Sequence, residues 1–428
     1  MRSSAVAAIF AGAFGYRALL IALWPPCYGG DALGRLEHAG DPLWSPVQLP
    51  LTGILVWLFA HVTFRPLAQR IGFAAIASLA AALVGASLVR VAGRRAAMLT
   101  ALVLATNPVF TEWTVVPYGE GVLVGTLLPG LALWYVGPGV ADRVAGILLI
   151  AVATTVRYEA WIVYPILLVL RPPVRAAILS LLSLPLVFPL AWTWHARGVS
   201  PIGLRSLDLH VGLSRIAALV YPVGGTVLLA TPPLVAFAIA GLREIRSAAK
   251  RDLAALDPSA RRLLQALALG AALDVAFVAA FRPYAPIDNP RQAILPCAIL
   301  AIFAGIGIDR AERDLPRLLY PYPRPRPSIL VGVMALLLTW PLLQGALRVR
   351  RSALADDARI GYELGRRLDR ELADGSTATI SAPPRRDFPD LEPTVIRWVR
   401  VNVDPRWRGA IAAVPSTVPT VGLDVRHR

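Results

Sequence analysis

The chain has 428 residues, of which 56% are hydrophobic and only 16% are charged, and its mean hydropathy is +0.59. Soluble domains average about 25% charged residues, so the composition excludes an ordinary soluble protein and indicates a bilayer-embedded one. The formal net charge is +16, and Lys250 is the only lysine. The arginines fall at the ends of apolar segments, where they suit anionic lipid headgroups and membrane topology, so we expect no nucleic-acid partner.

The predicted elements begin with an apolar N-terminal run, residues 5–24, that resembles a signal peptide. No small-residue cleavage site follows it, so we interpret it as the first transmembrane helix. Residues 51–64 are apolar but too short to span a core of roughly 30 Å, which predicts a juxtamembrane or re-entrant helix at the outer interface. Further helices are predicted at residues 71–89, 96–113, 121–136, 144–170, 175–194, 216–242, 263–281, 293–308 and 328–347.

Residues 144–170 decide the topology, because Arg157 and Glu159 interrupt the apolar run. Splitting the run near Arg157 places the most basic segments on one side, as the positive-inside rule requires. The cytoplasmic group then comprises Arg90, Arg94, Arg95, Arg171, Arg175 and residues 243–262 and 310–326. The outer group comprises residues 25–50, 118–120, 157–159, 195–215 and 282–291. The sequence thus predicts an all-α polytopic membrane bundle of about 11 transmembrane helices plus one outer juxtamembrane helix.

The predicted domain division follows from this topology. Residues 1–347 form the transmembrane domain, with the first outer loop at residues 25–50. Residues 348–428 form a small polar extension on the extracytoplasmic side, with an amphipathic helix at residues 356–372 and a strand at residues 377–381. Two cysteines, Cys27 and Cys297, specify neither a disulfide framework nor a metal site, and their pairing stays open.

Asp31 is the first candidate catalytic residue, because it lies in a Gly-Gly-Asp-Ala stretch of the first outer loop. An Asp in this place readily caps a short helix. The glycines also let the backbone turn sharply and present the carboxylate at the mouth of the bundle. Such a carboxylate can deprotonate an acceptor hydroxyl, so both interpretations stay open. Weaker candidates in the same loop are Glu37, His38 and Asp41.

Further charged groups lie at the predicted outer ends of helices. Glu112 and Glu120 bracket the second outer turn, and either is a candidate for catalysis. Arg157, Tyr158 and Glu159 interrupt an apolar run, where inserting an arginine costs roughly 2.5 to 3.5 kcal/mol. Arg157 and Glu159 could pair only to break the helix, but a guanidinium also fits the phosphate of an anionic headgroup. A second candidate phosphate cradle comprises Arg282, Tyr284 and Arg291.

One more charged residue, Asp274, lies inside the predicted helix at residues 263–281. A carboxylate at that depth needs a partner, which we expect to be an arginine or a hydroxyl group of another helix.

Several segments occur in a recognisable order: Gly30-Asp31-Ala32, Pro50-Leu51, Arg94-Arg95 before ALVLATNPVF, Tyr118-Gly119-Glu120, TTVRYEAWIVYPILL and RQAILPCAILAIFAGIGI. Together they resemble the GT-C superfamily of integral membrane glycosyltransferases, the group of the protein O-mannosyltransferases and the aminoarabinose transferase of lipid A. The resemblance covers roughly residues 1–347 and rests on order and topology more than on one long motif.

This resemblance implies a reaction and a set of roles. A sugar, such as the hexose mannose, passes with inversion from a polyprenyl-phosphate carrier to a hydroxyl of a glycan, lipid or protein acceptor outside the plasma membrane. Asp31 would be the general base, Glu112 or Glu120 a second acid, and Arg157 and Arg291 would hold the carrier phosphate. Asp31 lacks the adjacent acid or D-x-D of several branches, so a need for Mg²⁺ or Mn²⁺ stays open.

Two other classes of function are compatible with a helical bundle that carries charged residues. A transporter or flippase of a lipid-linked anionic substrate would explain Arg157 and Asp274, but it predicts repeats and a second broken helix pair that the sequence lacks. A non-catalytic scaffold would leave Asp31 and Arg157 without a role. The clustering of acids on one predicted face favours the transferase.

Overall fold

The computed structural model describes residues 3–23, 30–43, 49–170, 223–227, 232–251, 257–281, 290–318, 353–372, 376–383, 392–416 and 421–426. The helices of its N-terminal part are α1 (Ser3–Leu23), α2 (Gly30–Glu37), α3 (Pro50–Val62), α4 (Pro66–Thr106), α5 (Pro108–Thr114), α6 (Glu120–Val136), α7 (Val140–Thr154) and α8 (Val163–Leu170). They are followed by α9 (Pro232–Arg251), α10 (Pro258–Phe281) and α11 (Ile294–Leu318). The predicted helices at residues 175–194 and 328–347 lie outside the described residues.

The bundle is built from apolar helices. Among the described residues, three helical stretches are long and apolar enough to cross a membrane, namely Ser3–Leu23, Pro66–Thr106 and Arg291–Arg313. The second of these contains two helices that meet at Gly93, where φ is 81°. Glycine adopts this left-handed backbone without the steric cost that a Cβ brings. The junction falls between the predicted helices at residues 71–89 and 96–113, which confirms that division.

Small residues let the helices approach closely. A Cβ at Gly85 would lie 2.7 Å from the Cβ of Ala101, so the two halves of α4 pack side by side around Gly93. A Cβ at Gly125 in α6 would lie 2.6 Å from the Cβ of Ala80 in α4. Contacts between small residues are typical of helix packing in membranes, because lipid removes the hydrophobic force that drives helices together in water.

The predicted break near Arg157 is confirmed. Helix α7 ends at Thr154, and a short 3₁₀ helix, Tyr158–Ile162, separates it from α8. The juxtamembrane segment is also helical, since α3 occupies Pro50–Val62.

Two predicted helix ends are wrong, because both helices continue through charged residues. Helix α9 runs to Arg251 instead of residue 242, and α11 runs to Leu318 instead of residue 308. The extensions are held by ion pairs: Arg310 Nη1 lies 3.2 Å from Glu244 Oε1, and Arg95 contacts Glu312. Paired charges do not end a helix.

The C-terminal part is not purely helical, which corrects the all-α prediction. It contains α12 (Ala353–Glu371), β1 (Thr377–Ala382), α13 (Thr394–Asn402), β2 (Ile411–Pro415) and β3 (Gly422–Arg426). The sheet order is β2-β1-β3, with β2 parallel and β3 antiparallel to the central β1. The predicted strand at residues 377–381 and the predicted helix at residues 356–372 are both confirmed.

This C-terminal unit packs on helix α2 of the first loop. Trp398 and Val401 of α13 share one buried apolar cluster with Leu33 and Leu36 of α2. The Nη2 of Arg397 lies 2.6 Å from Glu37 Oε2, and its Nε lies 3.0 Å from each oxygen of that carboxylate. The first loop is therefore held between the membrane bundle and the C-terminal unit.

The close approach of α6 to α4 predicts a steric effect. Replacing Gly125 with alanine should lower the melting temperature in detergent, because the added methyl group overlaps Ala80 and overpacking costs about 1–3 kcal/mol. Gly12→Ala is the matched control, since a Cβ at Gly12 has no other atom within 4 Å. Equal melting temperatures of the two variants would contradict this packing.

Candidate functional site

The candidate site lies where the ends of α3, α6 and α7 meet. The backbone N–H of Leu51 donates to the carbonyl of Thr155 over 3.2 Å, which joins the start of α3 to the helix break. A Cβ at Gly119 would lie 2.5 Å from Thr52 Oγ1 and 2.6 Å from Val156 Cγ1. Glycine is therefore required at position 119, and the close approach brings the start of α6 next to the break.

Arg157 at this break forms ion pairs with two buried carboxylates. Its Nη1 lies 2.9 Å from Glu120 Oε1, and its Nε lies 3.0 Å from Glu159 Oε2. A second bond joins Arg157 Nη2 to Glu159 Oε1. The side chains of Arg157 and Glu120 are 13% and 1% exposed. One guanidinium with two carboxylates leaves this trio with a formal charge of −1 when all three are ionised.

Asp274 of α10 adds a third carboxylate to the neighbourhood. Its side chain is fully buried, and it interacts electrostatically with Glu159 and Arg157. Within the described part of the chain, neither of its oxygens has a hydrogen-bond partner. The expected direct partner from another helix is therefore not found among the described residues.

A second set of basic residues surrounds Tyr118, two residues before Glu120. The guanidinium carbon of Arg291 lies 4.8 Å from the centre of the Tyr118 ring, and that of Arg35 lies 5.6 Å from it. Arg35 of α2 also donates from Nη1 to the carbonyl of Pro117 over 3.2 Å. Helix α2 and the short 3₁₀ helix Pro290–Ala293, which precedes α11, thus both contact the turn that leads into α6.

The sequence-predicted site residues fall into three groups. The structure brings Glu120, Arg157 and Glu159 together. Arg291 contacts the ring of Tyr118, two residues before Glu120. Tyr158 packs against Trp161 with ring centres 5.0 Å apart, and Glu112 makes no ion pair or hydrogen bond with the described residues. Asp31 is the second residue of α2. Outside the described residues lie the Asp31 side chain, Arg282 and Tyr284.

Sequence reasoning missed two buried arginines that position this turn. Arg17 of α1 is fully buried and donates to the carbonyls of Ala13 and Ala105, at 3.4 and 3.3 Å. Arg70 of α4 donates from Nε to the carbonyl of Val115 over 3.2 Å. The available signal was the position of Arg17, a lone charge inside an apolar segment, because such residues are commonly paired with backbone carbonyls.

The described residues of the site do not form a set of metal ligands. Among the described residues, no group of three or more His, Cys, Asp or Glu side chains is placed to hold one. Both acids closest to Arg157 are engaged by its guanidinium. Cys297 of α11 is a buried thiol without a disulfide partner among the described residues, and Cys27 lies outside them.

Comparison with solved structures is the one that finds a likeness to known proteins. No protein-family model matches the chain, and no curated protein matches it. Among solved structures, the chain is similar to ArnT from Cupriavidus metallidurans bound to undecaprenyl phosphate, with 15% identity, a TM-score of 0.61 and coverage of 94% of this chain and 86% of that one. It is also similar to the apo form of the oligosaccharyltransferase from Archaeoglobus fulgidus, with 16% identity and a TM-score of 0.50 over 87% of this chain and 59% of that one.

These likenesses define the class of fold. The chain has the fold of the GT-C membrane glycosyltransferases, which confirms the resemblance given by the sequence. At 15% identity the likeness to ArnT shows the architecture alone.

The ion pairs of Arg157 predict a non-additive effect on stability. Arg157→Gln should lower the free energy of unfolding by about 3–5 kcal/mol, because it leaves buried carboxylates without their cation. Adding Glu120→Gln should restore part of that loss, since residues in one charge network couple by about 0.5–3 kcal/mol. Unfolding titrations in mixed detergent micelles measure both effects. The exposed Arg143→Gln on α7 is the control, and strictly additive losses would contradict the network.

Proposed function

We propose that this protein is a membrane glycosyltransferase that moves a sugar from a polyprenyl-phosphate carrier to an acceptor hydroxyl. The bond between the sugar C1 and the carrier phosphate breaks, and a bond between C1 and the acceptor oxygen forms with inversion. The hydroxyl proton passes to a carboxylate, and the polyprenyl phosphate leaves. The single observation that carries the proposal is Arg157, a buried guanidinium at a helix break, within a fold shared with a protein crystallised with undecaprenyl phosphate.

Arg157 and Arg291 are the proposed ligands of the carrier phosphate. A phosphate ester is a poor leaving group until its negative charge is stabilised, and a guanidinium supplies that charge with two parallel donors. Arg157 now binds Glu120 and Glu159, so an incoming phosphate competes with these carboxylates for the same N–H groups. We expect Glu120 to be released when the carrier binds and then to be available as the second acid, with Glu112 the alternative for that role.

Asp31 is the proposed general base. It lies in the first turn of α2, four residues before Arg35, and positions four apart share one face of a helix. Arg35 contacts Pro117 and Tyr118, which directly precede the turn to Glu120. The reaction removes a proton from the acceptor hydroxyl, and a carboxylate at this position of α2 is the group that we propose for that step.

The finer assignments are also proposals. We infer a hexose such as mannose as the sugar, a glycan, lipid or protein as the acceptor, and the outer side of the plasma membrane as the location of the site. Two separate ion pairs support a bundle with two distinct ends. We propose that the pair of Arg95 and Glu312 marks the cytoplasmic end, and that the pair of Arg157 and Glu120 marks the outer end. The division into a catalytic domain, residues 1–347, and an extracytoplasmic extension, residues 348–428, belongs to the same proposal.

The reaction is tested by transfer of a labelled sugar from polyprenyl-phosphate donors to a panel of acceptors, with purified protein in lipid nanodiscs. We expect turnover by the wild type and a loss of at least 100-fold in kcat for Asp31→Asn, because proton transfer contributes about 10²–10⁴-fold. Asp41→Asn is the matched control, since this loop aspartate accepts a hydrogen bond from the Leu43 backbone. Full activity of Asp31→Asn at normal expression would overturn the assignment of the base.

Carrier binding is tested separately from turnover. Arg157→Lys should weaken the binding of undecaprenyl phosphate at least 10-fold, because an ammonium keeps the charge but loses the guanidinium fork. Titration of the fluorescence of the protein with the carrier, in nanodiscs, measures the Kd. Arg143→Gln, at an exposed position, should bind as the wild type does. Unchanged affinity in Arg157→Lys and in Arg157→Gln would place the phosphate elsewhere.

A further inference from the structure

A cavity of about 510 Å³ lies between the end of α2 and the C-terminal unit, away from the Arg157 site. It is open to solvent on one side and combines three arginines with two glutamates. Its lining residues are Glu37, His38, Glu392, Arg397, Arg400, Arg408 and Gly409.

The two glutamates of this cavity are matched by two of its arginines. Arg397 binds Glu37 through both carboxylate oxygens, and Arg400 Nη1 lies 2.7 Å from Glu392 Oε2. Among the described residues, Arg408 forms no ion pair with a carboxylate, and it donates from Nη1 to the carbonyl of Glu37 over 3.0 Å. The described lining therefore carries one positive charge in excess.

Two guanidinium N–H groups in the lining are also left without a hydrogen bond. The Nε atoms of Arg400 and Arg408 are buried and have no partner among the described residues. A buried donor without an acceptor costs about 1–3 kcal/mol, and such groups in folded proteins commonly indicate a missing ligand or ion. Burial lowers the pKa of Arg408, although Glu37 and Asp404 act to raise it.

We propose that this cavity binds a phosphate group, held by Arg400 and Arg408. A guanidinium presents several donors in a rigid fork, and the oxygens of a phosphate accept hydrogen bonds from such N–H groups, which matches the unbonded Nε groups of this lining. The space is ample for a phosphate with part of its ester group. The phosphate comes from a free phosphorylated molecule or from a lipid headgroup, and the chemistry of the site is the same for both.

The location links the cavity to the first loop. Glu37 is the last residue of α2 and His38 follows it, and Asp31 lies six residues before Glu37, a rise of about 9 Å along a helix. If the proposed glycosyltransferase function holds, on which this step rests, the phosphate belongs to the acceptor and aligns its hydroxyl with Asp31. The binding site itself does not depend on that step.

Gly409 allows a test that removes no existing contact. A Cβ at this position has no other atom within 4 Å, so a side chain can enter the cavity without displacing a neighbour. Gly409→Glu adds a negative charge to the lining, and Gly409→Gln adds a neutral side chain of nearly equal size. Gly409 lies in the 3₁₀ helix Pro405–Ala410, and Arg406→Gln at an exposed position of this helix controls for the loss of one positive charge.

Binding of inorganic phosphate is measured by ³¹P NMR line broadening with the full-length protein in phosphatidylcholine nanodiscs, and melting temperatures confirm that each variant is folded. We expect saturable binding to the wild type, to Gly409→Gln and to Arg406→Gln, and at least 10-fold weaker binding to Gly409→Glu and to Arg400→Gln. A second arm counts molecules of phosphatidic acid retained by each variant in native mass spectrometry.

Each outcome decides the proposal. If inorganic phosphate binds and Gly409→Glu weakens that binding, the ligand is a free phosphorylated molecule. If only the retention of phosphatidic acid is lowered by Gly409→Glu, the ligand is a lipid headgroup. Binding that Gly409→Glu leaves unchanged, or no binding in either arm, would overturn the site. Neither arm measures sugar transfer, so failure here is distinguishable from failure of the proposed glycosyltransferase function.

Discussion

The pairing of Arg157 with Glu120 and Glu159 is the interaction on which the rest of the site depends. A guanidinium buried in an apolar bundle must be matched by negative charge, because an unpaired ion loses several kcal/mol of hydration. The match requires the α7–α8 break, which frees the side chain, and Gly119, which lets α6 start beside it. A carrier phosphate that displaces Glu120 from Arg157 leaves this buried carboxylate without its cation, so we expect Glu120 to take up a proton when the carrier binds.

Helix α2 connects this buried chemistry to the C-terminal unit. On one side Arg35 contacts the turn before Glu120, and on the other Glu37 binds Arg397. Arg65 beside α3 adds a second bridge, 2.6 Å from Asp369 of α12. The last turn of α2 is therefore restrained on two sides, and a catalytic group in the first turn of this short helix is held in place more firmly than in a free loop. Such restraint is what preorganised acid–base chemistry needs.

Local signals accounted for much of the fold. The charge interruption at Arg157 predicted the helix break, and the arginines near Gly93 marked the junction inside α4. Interactions between distant segments could not be predicted from the sequence. Glu120 and Arg157 are 37 positions apart. The pairing of Glu312 with Arg95 extends α11 through residues for which the sequence predicted a linker. The C-terminal sheet was missed in the same way, because β1 was recognisable alone but β2 and β3 become strands only by pairing with it.

The most direct test of the account is a structure of the protein with undecaprenyl phosphate bound in lipid nanodiscs. The account predicts the phosphate within hydrogen-bond distance of Arg157, with Glu120 released from the guanidinium and Arg291 on the opposite side of the phosphate. A phosphate bound elsewhere, with Arg157 still joined to both Glu120 and Glu159, would show that the ion pairs only stabilise the helix break and would contradict the proposed role of Arg157.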